Sequence, residues 1–122
     1  MPGLSPPISH YTDAVRFGNL LFVSGLAPVD AKTRLVGGKD PVKQTRQIFR
    51  IMKRILDAVG ADFSDVLKVT VYLTHMADRP KINPVRQEFF RKTRPASTLV
   101  EVSKLAIPGM RVEIEAVVGL PD

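Results

Sequence analysis

The spacing of apolar residues predicts a long first helix. Residues 40–59 carry apolar side chains at helical intervals, and one side of the helix would collect Ile48, Phe49, Met52, Ile55, Leu56 and Val59. Pro41 suits the first helical position, since a proline N–H would have no partner there, and Asp40 suits the cap before it. Gly60 is placed where a helix commonly ends on a left-handed residue.

A second helix is predicted over residues 78–92, where apolar residues again recur at helical spacing. Proline cannot donate a backbone hydrogen bond, so Pro84 is expected within the first turn. Asn83 would then be the residue that caps the helix.

Strands are predicted where β-branched residues cluster or where apolar and polar residues alternate. The segments are 14–17, 20–24, 66–74, 98–102 and 110–118. The order is β-β-α-β-α-β-β, an α+β fold. One sheet with two helices on one face is the expected packing, because each helix has a single apolar stripe. The opposite face then needs cover, which favours oligomerisation.

Composition narrows the class of protein. The 122 residues, 44% hydrophobic and 25% charged, predict one globular domain over 1–122 and exclude a disordered chain. No cysteine is present, which excludes disulfides, thiol nucleophiles and thiolate metal sites, and two histidines disfavour a zinc site. No apolar run approaches the roughly 20 residues of a membrane span, and no signal peptide is visible, so a cytoplasmic protein is expected.

Several short segments, in this order, resemble the RidA/YjgF family of reactive-intermediate deaminases over about residues 8 to 118. They are YTDAV at 11–15, LFVSG at 21–25, VTVYLT at 69–74, RPA at 94–96, and VEV at 100–102 with VEIEA at 112–116. The resemblance implies a chorismate-mutase-like fold with the same element order. It also implies a homotrimer whose sheets line a central barrel, with clefts between subunits. Family members hydrolyse enamine and imine intermediates without a cofactor and release ammonia.

The resemblance also implies a set of site residues. Glu113 matches the glutamate that positions or activates the hydrolytic water, and Tyr11, Ser24, Gly25 and Asn83 match residues near the ligand. Each has a structural alternative. Glu113 could form a salt bridge with a neighbour, and Asn83 could cap a helix. Tyr11 could be a half-buried structural residue, and Ser24 and Gly25 could simply end a strand with a glycine turn.

The chain departs from the family at the residue that binds the substrate carboxylate. An arginine is expected after Pro95-Ala96, but the residue there is Ser97, which lacks the two-pronged donor set of a guanidinium. Arg111, on the predicted strand face of Glu113, is one candidate replacement, and the hydroxyls of Ser97 and Thr98 could orient substrate. Branches without this arginine include one similar to 2-aminomuconate deaminase.

The net charge of +6 attracts anions but does not choose among them. The leading hypothesis is a cofactor-independent deaminase of small enamine or imine carboxylates, with neither a metal nor a membrane partner. The alternative is a trimer that binds small carboxylates or keto acids without turnover. RNA binding or cleavage by the basic side of the first helix is disfavoured, because aromatic residues do not interleave with the basic ones and no histidine pair is available.

Overall fold

The computed structural model describes residues 11–121, and its element order confirms the predicted β-β-α-β-α-β-β arrangement. In chain order the elements are β1 (Ala14–Phe17), β2 (Leu20–Leu26), α1 (Pro41–Ala58), β3 (Val66–Leu73), α2 (Arg79–Phe90), β4 (Ala96–Glu101) and β5 (Val112–Gly119). Short 3-10 helices at Phe63–Asp65 and Met76–Asp78 precede β3 and α2, and the sequence pattern did not indicate them.

Helix α1 begins and ends as its sequence predicts. The Asp40 side chain accepts hydrogen bonds from the backbone N–H groups of Val42 (2.9 Å) and Lys43 (3.3 Å), and Pro41 occupies the first turn. Gly60 follows the C-terminal cap with φ +71°, a left-handed conformation that favours glycine. Both ends are therefore determined locally.

Helix α2 begins at Arg79, one residue from the predicted start, and ends at Phe90. The predicted position of Pro84 in the first turn is wrong, because Pro80 lies in that turn and Pro84 lies inside the helix. Asn83 is consequently a helical residue, and its predicted role as the cap is wrong. Pro80 fills the position that tolerates a missing N–H, and its carbonyl loses its usual donor at residue 84.

The strands form one mixed sheet in the order β1-β2-β5-β3-β4. Neighbours are antiparallel except for β3 and β4, which are parallel and connected by the crossover that contains α2. Strand β5 therefore lies at the centre, between β2 and β3, and its side chains have neighbours on both sides.

The two faces of the sheet have opposite characters. The alternation predicted for the last strand is confirmed, since Val112, Ile114, Ala116 and Val118 are buried and their neighbours in β5 are partly exposed. The buried residues join the α1 side chains in one core. Both helices thus cover the same face, as predicted.

Residues 11–121 leave the other face uncovered, and it is called here the open face. Apolar side chains on it are exposed, among them Val15 (56%), Phe17 (78%), Phe22 (46%) and Val100 (37%). None of the helices described in residues 11–121 combines the length and apolar character that crossing a membrane requires.

Candidate functional site

Glu113 lies on the open face near the start of β5, directly across from Tyr72 of β3. Its side chain is half-buried. Burial raises the pKa of the Glu113 carboxyl above its ordinary value, and the nearby negative charge of Glu115 raises that pKa further. A carboxylate with a raised pKa is a better proton acceptor than an exposed one.

The neighbours of Glu113 leave its carboxylate without a partner. Tyr72 donates its hydroxyl hydrogen bond to Glu115 rather than to Glu113. Among residues 11–121, no hydrogen bond or ion pair to the Glu113 side chain is present. The alternative interpretation of Glu113 as a salt-bridge residue is therefore wrong for this part of the chain.

A β-bulge in β2 brings backbone against this carboxylate. Val23 pairs with Ala116 and Leu26 with Ile114, so β2 has one more residue than β5 between those pairs. The extra length places Gly25 so close to Glu113 that a Cβ built on Gly25 would lie 2.9 Å from Glu113 Cδ and overlap Oε2. Only glycine leaves room for the side chain there.

Ser24 connects the same bulge to the segment before β1. Its hydroxyl donates to the carbonyl of Thr12 (2.5 Å), and its backbone N–H donates to the carbonyl of Asp13 (2.9 Å). These two bonds hold Tyr11 beside the bulge, where its ring is 47% exposed.

The structure brings four of the predicted site residues together. Tyr11, Ser24, Gly25 and Glu113 line one open cleft of about 370 Å³, called here the glutamate cleft. The remaining wall is small or apolar and is formed by Ala27, Ala106 and Ile107. A half-buried carboxylate beside an apolar wall can hold a water molecule and take its proton.

Asn83 and Ser97 lie elsewhere in the protomer. Ser97 pairs with the buried Val69, so it lies on the helix side of the sheet. Both line a second cleft of about 570 Å³, called here the arginine cleft, together with Met76, Arg79, Arg86 and Leu99. Arg86 and Arg79 were not singled out from the sequence.

Thr98 is separated from Ser97 by the sheet itself. It faces the open side across from Thr70, and its hydroxyl accepts a hydrogen bond from Lys68 (2.5 Å). The adjacent hydroxyls of Ser97 and Thr98 therefore belong to opposite faces and cannot contact one small ligand within a protomer.

Arg111 does not point into the glutamate cleft, and the predicted placement beside Glu113 is wrong. Its guanidinium donates two hydrogen bonds to the fully buried Asp78, at 2.9 and 3.0 Å. Strand alternation does not apply to Arg111, since β5 begins at Val112. The buried amide of Gln44 also accepts from the Arg111 backbone N–H (2.7 Å), so this segment is anchored twice.

The basic side of α1 is partly neutralised. Arg46 pairs with Glu88 (3.2 Å), and Lys53 pairs with Asp57 (3.0 Å) one turn further along the helix. Such pairing does not favour a track for RNA phosphates. Residues 11–121 contain no cluster of three or more side chains suited to hold a metal ion. His10, another possible site residue in the sequence, lies outside the described residues.

Comparison with known proteins places these clefts in context. The sequence model of the family described as "Endoribonuclease L-PSP" matches residues 3–119. A RutC family protein of Pyrococcus horikoshii is 44% identical over 111 residues, which cover 91% of this chain and 87% of the relative. A 2-iminobutanoate/2-iminopropanoate deaminase of Dermatophagoides farinae is 39% identical, with 92% and 87% covered. The crystal structure of YyfA from Yersinia pestis, a Rid family protein, superposes with a TM-score of 0.90 at 31% identity, covering 97% of this chain and 94% of that one.

Proposed function

The chain belongs to the RidA/YjgF family, described also as the endoribonuclease L-PSP family, and we propose that it is a hydrolytic deaminase of small enamine or imine carboxylates. The observation that carries the proposal is the half-buried carboxylate of Glu113 in the glutamate cleft, which has no hydrogen-bond or ion-pair partner among residues 11–121. The name of the mite relative, a 2-iminobutanoate/2-iminopropanoate deaminase, supports the same chemistry.

In the proposed reaction, an enamine first gains a proton on carbon and loses one from nitrogen, and so becomes the imine, whose carbon is electrophilic. The Glu113 carboxylate takes a proton from a water molecule as the water oxygen bonds to that carbon, and this proton passes to nitrogen to give the carbinolamine. The hydroxyl proton of the carbinolamine then also moves to nitrogen, the C–N bond breaks, and ammonia leaves as the carbonyl forms. Imine and water give ketone and ammonia, so the balance requires no redox partner and no cofactor.

Tyr11, Ser24 and Gly25 would shape this reaction around the water. The missing side chain of Gly25 leaves room for the Glu113 carboxylate in its present position, from which a Cβ would displace it. The Tyr11 ring, beside the bulge, would limit access of bulk solvent to the imine carbon. Because Ser24 donates its hydroxyl hydrogen to Thr12, its part in the site is to hold that wall in place.

The proposal includes a homotrimer with its active clefts between subunits. Within one protomer the glutamate cleft and the arginine cleft lie on opposite faces of the sheet. Association through the open face would bury Val15, Phe17 and Phe22, and would allow Asn83 and Ser97 of one protomer to approach Glu113 of another. The substrate would then be held by two subunits. The proposed location of the reaction is the cytoplasm.

The test is ammonia release by Glu113→Gln and by Glu88→Gln, an exposed-glutamate control. Freshly generated 2-aminoacrylate and 2-aminomuconate are the substrates, the second because branches lacking arginine at the Ser97 position include 2-aminomuconate deaminase-like members. We expect Glu113→Gln to lose about 10²- to 10⁴-fold in turnover, the usual contribution of a general base, with the oligomer unchanged by light scattering. Unchanged turnover would overturn the role of Glu113.

The wild-type measurements also decide between the functions. Release from 2-aminomuconate alone would identify a dicarboxylate substrate, whereas release from 2-aminoacrylate would show that an arginine at position 97 is dispensable. Binding of a keto acid with no turnover of either substrate would replace the deaminase with the carboxylate-binding trimer.

A further inference from the structure

The arginine cleft contains two cations on one side of α2. Arg79, Asn83 and Arg86 are spaced four and then three residues apart, so they lie on the same helix face. Arg86 is half-buried, and its Nη2 donates a hydrogen bond to Ser97 Oγ at 2.8 Å. The start of β4 and the middle of α2 are thus joined by a guanidinium and a hydroxyl.

The charge of Arg86 is not balanced by a neighbouring acid. Within the described part of the chain, neither Arg86 nor Arg79 forms an ion pair with an aspartate or a glutamate. Burial lowers the pKa of the Arg86 guanidinium, and the positive charge of Arg79 lowers it further. Arginine nevertheless stays protonated near neutral pH, so the cleft has a half-buried cation and a second cation on the same helix face.

The hydrogen-bonding capacity of the cleft is largely unused. A guanidinium carries five N–H donors, and among residues 11–121 Arg86 uses one side-chain bond, that to Ser97. Because Ser97 Oγ accepts this bond, its own O–H remains free to donate. The Asn83 side chain adds amide donors, while Met76 and Leu99 provide apolar walls. These groups suit an anion with two acceptor oxygens and a short carbon chain.

We propose that Arg86 binds the carboxylate of the substrate in this protein, with Ser97 donating to the same carboxylate and Arg79 strengthening the attraction. Ser97 then takes over only part of the role of the missing arginine: its hydroxyl accepts a hydrogen bond from Arg86 and donates one to the carboxylate. The cleft takes a small organic carboxylate, and a second carboxylate on the same molecule would face Arg79. As the anchor of the reacting molecule, this role rests on the proposed deaminase function.

The experiment measures binding of 2-oxobutanoate, a stable keto acid, by calorimetry, and turnover of 2-iminobutanoate. Arg86→Gln removes the cation. Arg50→Gln, on the exposed side of α1, makes the same change of net charge elsewhere. We expect Arg86→Gln to weaken 2-oxobutanoate binding about 10- to 100-fold, the range for one charge-assisted hydrogen-bond pair, and Arg50→Gln to leave it unchanged.

Two further variants test whether the loss of binding in Arg86→Gln is caused by misfolding or by the change of net charge alone. Arg86→Lys keeps the charge but loses the fork, so binding should fall by an intermediate amount. Arg86→Gln combined with Ser97→Arg restores a guanidinium beside the cleft and should recover most of the affinity. Inorganic phosphate and a short RNA serve as competitors; displacement of 2-oxobutanoate by RNA at equal or lower concentration would overturn the small-carboxylate assignment.

Failure of this inference and failure of the proposed function are distinguishable. If the wild type releases ammonia and Arg86→Gln matches it in both binding and kcat/KM, the role of Arg86 is wrong and the deaminase stands. If the wild type binds 2-oxobutanoate through Arg86 yet hydrolyses no imine, the deaminase is wrong and the carboxylate site stands.

Discussion

Arg111 directly precedes β5 and Glu113 is the second residue of that strand, and the charges of these two side chains have opposite surroundings. The Arg111 guanidinium meets a fully buried carboxylate, that of Asp78, and its charge is neutralised. The Glu113 carboxylate is half-buried, and the charge that raises its pKa further is that of another carboxylate, Glu115. One end of this short segment contributes to folding, and the other retains reactivity.

The difference lies in which groups the two side chains contact. Asp78 ends the connection that follows β3 and lies beneath Arg111. Glu113 instead faces the backbone of Gly25, which carries no side chain and so offers no counter-charge. Among the described residues, the carboxylate two positions from an ion pair is therefore left without a counter-charge, an environment that is common for functional carboxylates.

The largest effect should come from removing the ion pair between Arg111 and Asp78. Asp78→Asn keeps the shape but leaves Arg111 without its counter-ion, and we expect a loss of about 3 kcal/mol in the free energy of unfolding, since Arg111 is partly exposed. Urea denaturation measures it. Asp57→Asn is the control, because its pair with Lys53 is exposed on both sides and should contribute about 0.5 kcal/mol or less. Equal losses in the two variants would contradict the contrast.

A substitution beside Glu113 should reduce activity, with little effect on stability. Gly25→Ala forces the Glu113 carboxylate away from its present position, and a displacement of about 1 Å can cost roughly 100-fold in kcat/KM. Gly119→Ala is the matched control at the far end of β5, where Gly119 pairs with Leu20 of β2. Its new Cβ would lie 3.3 Å from Leu67 Cδ1, the end of a flexible side chain, so activity should persist. Full activity in Gly25→Ala would show that the β-bulge does not contribute to catalysis.

The smallest effect concerns pH. Glu113 acts as a base only when it is deprotonated, so kcat/KM should fall as the pH drops through its raised pKa, above the ordinary value of 4.5. Glu115→Gln removes one of the two causes of the raised pKa of Glu113, so the fall of kcat/KM at acidic pH should move to lower pH. If the fall does not move, either it is not caused by protonation of Glu113 or Glu115 does not affect the pKa of Glu113.

The same raised pKa affects stability in the opposite sense. The folded state holds the Glu113 proton to higher pH than the unfolded state does, so it binds more protons between the two pKa values. Stability from this group is present below that window and declines as the pH rises through it. Glu113→Gln should therefore be at least as stable as the wild type at neutral pH, while losing turnover.

Elements with strong local signals could be predicted from the sequence. Asp40, Pro41 and Gly60 specify the ends of α1 through backbone hydrogen bonds and φ, and the alternation of β5 follows directly from burial on one face. Interactions between distant segments could not be predicted. The pairing of Arg111 with Asp78 joins residues that are 33 positions apart, and no local pattern reveals it.

The missed arginine cleft had a signal in the predicted helix span 78–92, where Arg79, Asn83 and Arg86 are four and then three residues apart. The prediction that Pro84 lies in the first turn, with Asn83 as the cap, conflicts with that span because it leaves Arg79 outside the helix. In the structure the helix begins at Arg79, and the two arginines and Asn83 occupy one face. The bulge at Gly25 has no such signal, because only its register against β5 reveals the extra residue.

The central position of β5 also has a consequence for biosynthesis. Strands β1 and β2 form a hairpin, and β3, α2 and β4 form a parallel unit, but β5 alone joins the two. Its pairing brings Leu20 beside Gly119, across nearly the whole chain. While the ribosome is still adding β5, the two halves have no shared edge, and their apolar borders remain open to solvent and to chaperones. Assembly of the sheet therefore waits for the strand that is made last and carries Glu113.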